Sequence, residues 1–200
     1  DMFPEINIGW GMGGKGLRSN LLATGAVWGA NEKISRLASG GGTSSTPRLY
    51  GSSAGGFQAL AVGSYLPYSD VRVMVNNPQI DWLKYEGRSA VRNAIKYAFA
   101  GEPEADFRSR HETIVDLKQL WRFLGRVPSI TYLLNSASAA DVKFQFRPFL
   151  EFLSNVPSGV TASLELRKYY RSAEGHGPLP NDESKRLIRE WFERTPASID

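Results

Sequence analysis

Residues 49–60, LYGSSAGGFQAL, limit the possible folds of this chain more than any other stretch of its sequence. Apolar residues end at Tyr50, a glycine-rich turn follows, and small residues then continue in a helix-like pattern. The turn carries the G-x-S-x-G pattern in the strand–turn–helix context that a strained nucleophilic serine requires. This context predicts a nucleophile elbow with Ser53 at its tip, and the alternative is an ordinary glycine-rich turn between a strand and a helix.

The residue types around Ser53 have a physical explanation in such an elbow. We expect Gly51 and Gly55 to be sterically obligatory, because a Cβ at either position would strike the neighbouring strand or helix. The helix that begins here would point its positive end and its free N–H groups at the group that Ser53 attacks. The N–H of Ala54 is therefore the expected donor to an oxyanion formed in the reaction.

Strand-like and helix-like segments alternate along the chain. The predicted strands are residues 6–10, 48–50, 71–76, 130–135 and 162–170. The predicted helices are residues 17–37, 56–62, 89–99, 114–124, 144–153 and 182–194. This alternation is typical of an α/β fold with a mostly parallel sheet and helices on both faces.

A nucleophilic serine needs a base, and the chain has two histidines. His176 lies between two glycines in a loop directly after the last predicted strand, where parallel sheets hold their ligands. His111 lies in a charged helical stretch and is expected to be a solvated surface residue. We therefore expect His176 to be the base, and the alternative is that it is an exposed loop histidine.

The base needs a carboxylate to orient it, and two aspartates are candidates. Asp141 follows the fourth predicted strand and a polar loop, and Asp81 follows the third predicted strand. Chain position favours Asp141, because it gives the order Ser, Asp, His along the sequence. Asp81 remains the alternative acid, and either residue would also suit a helix N-cap.

Together, the elbow, the aspartate after the penultimate strand and the Gly-His-Gly loop after the last strand resemble the α/β-hydrolase fold. The resemblance covers residue 6 to the end of the chain, and it implies that the N-terminal strands of a full domain are missing. It also implies a serine hydrolase of the esterase type, which cleaves an ester or related acyl bond. In that reading the catalytic triad is Ser53, Asp141 and His176, and an acyl-enzyme forms on the serine.

Three further implications accompany this resemblance. Residues 50–57 and 76–79 look like bacterial hydrolase-like proteins, some of them in glycan contexts, which implies a small-molecule or glycan ester as substrate. The fold requires a second donor in the oxyanion hole, and Trp10 and Gly11 are the candidates. Caps are inserted in this fold at the position of residues 82–127, whose aromatic residues suit a helical lid and plain core equally well.

Length and charge limit the other functions that the chain could have. Its 200 residues allow one domain, which we divide into a core of residues 1–81 and 128–200 and a helical cap of residues 82–127. The net charge of +4 comes from mixed rather than blocked charges, so no nucleic-acid partner is expected. No stretch approaches the ~18 apolar residues of a membrane span. The oligomeric state has no signal in the sequence.

Cysteine is absent, which excludes disulfides and thiolate metal sites, and neither a metal nor a cofactor is expected. No signal peptide opens the chain, so we expect a cytoplasmic protein. The chain begins at Asp1 close to its first predicted strand, so we also expect that it lacks its natural N-terminus. Residues 9–16 match dinucleotide and P-loop patterns, but no acid ends the next strand and Gly16 stands where a P-loop needs Ser or Thr.

The alternatives to a serine hydrolase are a non-catalytic glycan- or protein-binding module, an acyltransferase with the same triad, and a nucleotide-binding protein.

Overall fold

Four parallel strands form one sheet in a computed structural model of the chain, which describes residues 47–157, 160 and 163–193. The order of the strands in the sheet follows their order in the chain. Their bounds are β1 Arg48–Ser52, β2 Arg72–Asn76, β3 Ser129–Asn135 and β4 Leu164–Tyr169. The predicted α/β class with a parallel sheet is confirmed, and the predicted strand at residues 6–10 and helix at residues 17–37 lie outside the described residues.

Helices connect the strands, and another helix follows β4. The α-helices are α1 Ser53–Tyr65, α2 Arg88–Ala98, α3 Glu104–Arg110, α4 Glu112–Val115, α5 Leu117–Leu124, α6 Ala139–Asp141, α7 Arg147–Ser154 and α8 Asn181–Glu193. A 3₁₀ turn at Trp82–Lys84 precedes α2, and a π-helical turn at Val142–Phe146 joins α6 to α7. None of the helices in the described part of the chain has the length and apolarity to cross a membrane.

Side chains alternate between the two faces of the sheet along each strand, and both faces are covered by helices. Val73 and Val75 of β2 belong to the larger apolar core, which also contains residues of α1, α5 and α7. Met74, between them, belongs to a smaller core with Leu133 of β3 and Trp191 of α8. The three crossovers thus share one face, as right-handed connections along a single direction require, and α8 covers the other face.

The segment between β2 and β3 is helical, and most of its large aromatic side chains are core. Trp121 and Phe99 are buried, and the indole Nε1 of Trp121 donates a 2.8 Å hydrogen bond to Ser64 Oγ in α1. Tyr97 and Phe123 are exposed by 39% and 75%. These four aromatic residues of the segment predicted as a helical cap therefore divide into a buried pair and an exposed pair.

The register of the sheet brings the carboxyl ends of the strands to one edge. Ser52 of β1 pairs with Asn76 of β2, and Asn76 pairs with Leu133 near the end of β3. At the other end of the series, Asn135 of β3 pairs with Tyr169 of β4. The four loops that follow the strands consequently emerge side by side, which is where ligands bind in sheets of this type.

Candidate active site

Ser53 begins α1 directly after β1, at the tip of the elbow. Its φ is 52°, a left-handed conformation that is uncommon for a residue with a Cβ and that marks functional turns. The backbone N–H of Gln79, in the loop after β2, donates a 3.2 Å hydrogen bond to the Ser53 carbonyl oxygen. The neighbouring strand's loop therefore helps to hold the serine in its strained conformation.

The steric demand at the elbow falls on different glycines from those expected. A Cβ on Gly51 would lie 2.2 Å from the carbonyl oxygen of Gly55, so Gly51 is obligatory as predicted. A Cβ on Gly55 would meet nothing within 4 Å, so the expectation for Gly55 was wrong. The second close approach lies one residue later, where a Cβ on Gly56 would come within 2.8 Å of Pro78 Cβ. The start of α1 turns Gly55 toward open space and Gly56 toward the loop after β2.

Three of the residues singled out from the sequence lie in a hydrogen-bonded line. Ser53 Oγ is 2.6 Å from His176 Nε2, and His176 Nδ1 is 2.8 Å from both carboxylate oxygens of Asp141. The side chains of His176 and Asp141 are 16% and 5% exposed. A histidine that donates Nδ1–H to a carboxylate keeps the Nε2 lone pair free to accept a proton, so the line can carry a proton away from Ser53 Oγ.

Asp81, the alternative acid, has other partners. Both of its carboxylate oxygens accept hydrogen bonds of 3.0 Å from Arg108 Nη2, and Oδ1 also accepts from the backbone N–H of Leu83. Burial and the nearby carboxylate of Asp116 raise the pKa of Asp81, and Arg108 opposes that rise. Asp81 thus anchors the 3₁₀ turn after β2, and the structure places Asp141, not Asp81, beside His176.

The loop that carries His176 is fastened to the ends of β2 and β3 by buried asparagines. Asn135 donates from Nδ2 to the carbonyl oxygens of Arg171 and Gly175, at 2.8 and 2.9 Å. Asn77 Oδ1 accepts from the Asn135 backbone N–H at 2.8 Å, and its Nδ2 lies 3.5 Å from the His176 carbonyl oxygen. The position of the imidazole is therefore set by side chains on two neighbouring strand ends as well as by its own glycines.

Asn76 completes this support on the far side of the loop. Its Oδ1 accepts from the backbone N–H of Leu179 at 2.9 Å, and its Nδ2 donates to the Tyr169 hydroxyl at 2.8 Å. Burial raises the pKa of Tyr169, and the hydrogen bond from Asn76 to its hydroxyl oxygen opposes that rise. The His176 loop is thus bonded both before and after the histidine.

Besides Asp141, two further side chains lie against the serine or the histidine. Gln79 Nε2 is 3.2 Å from Ser53 Oγ and 3.4 Å from His176 Nε2, and Gln79 is fully buried. The ring of Tyr85 lies against the imidazole, with 5.2 Å between the ring centroids. Gln79 thus contacts both the serine and the histidine, and Tyr85 contacts the histidine ring.

Of the expected oxyanion donors, Ala54 lies within the described residues. It is the second residue of α1, and the backbone N–H groups of a first helical turn have no partner within their own helix. Its position immediately after Ser53 is the one that the elbow geometry requires of an oxyanion donor. Trp10 and Gly11, the candidates for the second donor, lie outside the described residues.

His111, the second histidine, was expected to be a solvated surface residue, and this expectation is wrong. The ring of His111 packs against Phe99 and Phe107, with centroid distances of 4.9 and 4.6 Å, and its Nε2 is 3.1 Å from Glu102 Oε2. Its side chain is 22% exposed. The charged sequence neighbours of His111 gave no signal of this aromatic cluster, because the cluster forms only when α2 and α3 pack together.

The roles of Gln79, Asn77 and Asn135 were not predicted from the sequence. The sequence signal for them is the polar run Asn76–Asn77–Pro78–Gln79, at which the apolar strand ends abruptly. Polar residues at the carboxyl end of a buried parallel strand lie beside the ligand site of the sheet. Asn135 carries the same signal at the end of β3.

Within the described part of the chain, no group of three or more His, Asp or Glu residues is arranged to hold a metal ion. No family model matches this chain, and no curated protein matches it. Among solved structures, a similar one is the crystal structure of the Paleococcus ferrophilus monoacylglycerol lipase. It is 14% identical, the match covers 86% of this chain and 74% of the lipase chain, and the TM-score is 0.47.

Proposed function

We propose that this chain is a serine hydrolase that cleaves an ester or a related acyl bond. The observation that carries the proposal is the continuous hydrogen-bonded line from Ser53 through His176 to Asp141. Three residues that are 35 to 123 positions apart in the sequence meet at one edge of the sheet. An ordinary βα turn gives no reason for a serine with a left-handed backbone to face a carboxylate-bound imidazole.

In the first half of the proposed reaction, His176 Nε2 takes the hydroxyl proton as Ser53 Oγ forms a bond to the carbonyl carbon of the ester. The carbonyl oxygen becomes an oxyanion, and the N–H of Ala54 stabilises it. The imidazolium then gives its proton to the departing alcohol as the bond from the carbon to that alcohol breaks. This leaves the acyl group on Ser53.

The second half repeats these steps with water in place of the serine hydroxyl. His176 takes a proton from water, the hydroxide oxygen bonds to the acyl carbon, and the proton returns to Ser53 Oγ as the acid leaves. Asp141 holds the imidazole in the tautomer that leaves Nε2 unprotonated, and its charge stabilises the imidazolium in both halves. Acyl transfer to a sugar hydroxyl would use that hydroxyl in the place of water.

A fluorophosphonate probe tests the proposal, because it reacts only with an activated serine. We expect the wild type to be labelled at the peptide that contains Ser53, and Ser53→Ala and His176→Ala to lose the label. Ser52→Ala is the matched control for the serine, since Ser52 Oγ donates instead to the Asn76 carbonyl oxygen. His111→Ala is the control for the histidine.

The same samples, incubated with p-nitrophenyl acetate, show whether the acyl-enzyme turns over in water. A folded wild type that is neither labelled nor active would sink the hydrolase proposal and favour a non-catalytic binding module. Labelling that survives in both Ser53→Ala and His176→Ala would show that another serine reacts, and it would remove the proposed roles of both residues.

A further inference from the structure

We propose that Gln79 is a further catalytic residue, whose side-chain amide donates a hydrogen bond to Ser53 Oγ and stabilises the negative charge that gathers there. This inference rests on the proposed function, because it concerns the same serine. It extends that function by a fourth side chain, from the loop after β2, that contacts the reacting oxygen atom.

The contact geometry gives the first argument. Gln79 Nε2 is 3.2 Å from Ser53 Oγ, within hydrogen-bond reach, and 3.4 Å from His176 Nε2. The amide therefore stands beside the path along which the proton moves from the oxygen to the imidazole. A side chain in this place cannot be neutral toward the transfer, because its dipole acts differently on the hydroxyl and on the alkoxide-like oxygen that replaces it.

The hydrogen-bonding roles of the neighbours decide which end of the amide faces Ser53. His176 Nδ1–H donates to Asp141, so His176 Nε2 is an acceptor, and the Ser53 hydroxyl proton points to it. The single lone pair of His176 Nε2 is therefore engaged by that proton, and Ser53 Oγ keeps lone pairs that face the amide. Only the NH₂ group of Gln79 can donate to Oγ, which agrees with the placement of Nε2 at this position.

The amide is held in place before any substrate arrives. Gln79 is fully buried, and its backbone N–H is bonded to the Ser53 carbonyl oxygen. The next two residues are fixed as well, because Gln145 Oε1 accepts from the backbone N–H groups of Ile80 and Asp81 at 2.8 and 3.0 Å. A fixed donor in a site shielded from water stabilises a developing charge without a reorganisation cost.

The proposed bond changes strength through the reaction in a way that favours catalysis. As the proton leaves Ser53, Oγ gains negative charge and accepts the Gln79 hydrogen bond more strongly. In the acyl-enzyme the same oxygen is part of an ester and is a weaker acceptor. When the acyl group departs to water, Oγ again carries negative charge until His176 returns the proton. Gln79 therefore assists both halves of the reaction and binds the intermediate less tightly than either transition state.

The experiment measures the rate constant of fluorophosphonate labelling in the full chain. Gln79→Met keeps the length of the side chain and removes the donor, and we expect labelling about tenfold to a hundredfold slower than in the wild type, as for loss of a hydrogen bond to a charged group. Gln145→Met is the matched control, because it removes an equally buried glutamine that braces the same loop without touching Ser53. We expect the control to lose much less.

A second variant separates catalysis from simple support of the loop. Gln79→Glu places a carboxyl group of nearly the same shape beside Oγ, and that group donates a hydrogen bond only when it is protonated. We expect its labelling rate relative to the wild type, each measured at the same pH, to rise as the pH is lowered. If Gln79 only supported the loop, any change in that ratio would follow a change in the thermal stability of the variant measured at the same pH values.

The outcomes are distinct. A wild type that is not labelled overturns the proposed function and this inference with it. A labelled wild type with Gln79→Met equal to it overturns the inference and leaves the hydrolase intact. A flat ratio for Gln79→Glu does the same, and it decides against the inference also where Gln145→Met, whose loss would let the Gln79 amide shift, is as slow as Gln79→Met. Slow labelling of Gln79→Met alone, together with the rising ratio, supports the role of Gln79.

Discussion

Replacing Gly51 and Gly55 by alanine, one at a time, should change the stability of the protein in opposite directions. The two glycines occupy equivalent places in the G-x-S-x-G pattern, one on each side of Ser53. Their surroundings are not equivalent, because a Cβ on Gly51 would meet backbone and a Cβ on Gly55 would meet open space. The pair therefore tests the geometry of the elbow with one chemical change at two sites.

The magnitude for Gly51→Ala follows from the atoms that the methyl group would strike. It would lie 2.2 Å from Gly55 O, 2.4 Å from Gly55 C and 2.7 Å from Gly56 N, all three of them backbone. No side chain can rotate away, so the start of α1 must move. Overpacking of this kind costs about 1–3 kcal/mol, and we expect the upper end. At about 2–4 °C per kcal/mol for a chain of this size, the melting temperature should fall by about 6–12 °C.

For Gly55→Ala the expected sign is the reverse. Gly55 lies within α1, its φ is not left-handed, and nothing lies within 4 Å of the added methyl group. Alanine is favoured over glycine inside a helix by about 0.5–1 kcal/mol, which corresponds to a rise of about 1–4 °C.

Thermal melts followed by circular dichroism in one buffer give both shifts, and labelling of Ser53 reports whether the elbow survives. We expect Gly55→Ala to be labelled like the wild type and Gly51→Ala to be labelled more slowly. A Gly55→Ala variant that loses as much stability as Gly51→Ala would contradict this geometry of the elbow, because α1 would then begin differently from the structure described above.

Two further predictions concern the aspartates. Asp141→Asn should slow labelling of Ser53 by about 10⁴-fold, because an amide no longer enforces the reactive tautomer of His176. Asp81→Asn should leave the rate within severalfold, and equal losses in the two variants would contradict the assignment of the acid. Because burial and Asp116 raise the pKa of Asp81, the folded protein binds that proton more tightly than the unfolded chain. Ionised Asp81 therefore costs stability at neutral pH, and the cost is relieved as the pH falls through the raised pKa toward 3.8, the ordinary pKa of an aspartate. Urea melts of the wild type and Asp81→Asn across that range should show the wild type gaining stability relative to the variant, and a difference that does not vary with pH would contradict the raised pKa.

Much of the fold was predictable because its signals are local. Apolar runs that end in polar residues mark β2 and β3, and the observed bounds differ from the predicted ones by one residue at the start of each strand. The elbow was predictable for the same reason, since a strained serine needs small neighbours that the sequence displays directly. Some helices were harder to place, because α3 has a single buried residue, Phe107, and so lacks an apolar stripe.

The candidate site was predictable in its residue types and not in its choices. Asp81 and Asp141 both follow strands, and nothing in their local sequences says which one meets His176. The pairing of β3 with β4 decides it, because the loop after β3 then lies beside the histidine loop. Asp81 belongs to the loop after β2, which turns toward the helices, and its carboxylate accepts a hydrogen bond from Arg108 there.

The class of the fold can be predicted from the sequence alone, as can the position of the serine at its turn and the order of the three polar residues along the chain. The order and register of the strands are needed to show that Asp141 is the partner of His176, that Gly56 rather than Gly55 meets the next loop, and that Gln79 reaches Ser53. The two sets differ in the range of the interactions behind them. Periodicity and turn chemistry report on neighbours in the chain, whereas a contact such as that between Ser53 and His176, 123 residues apart, exists only through the order and register of the strands.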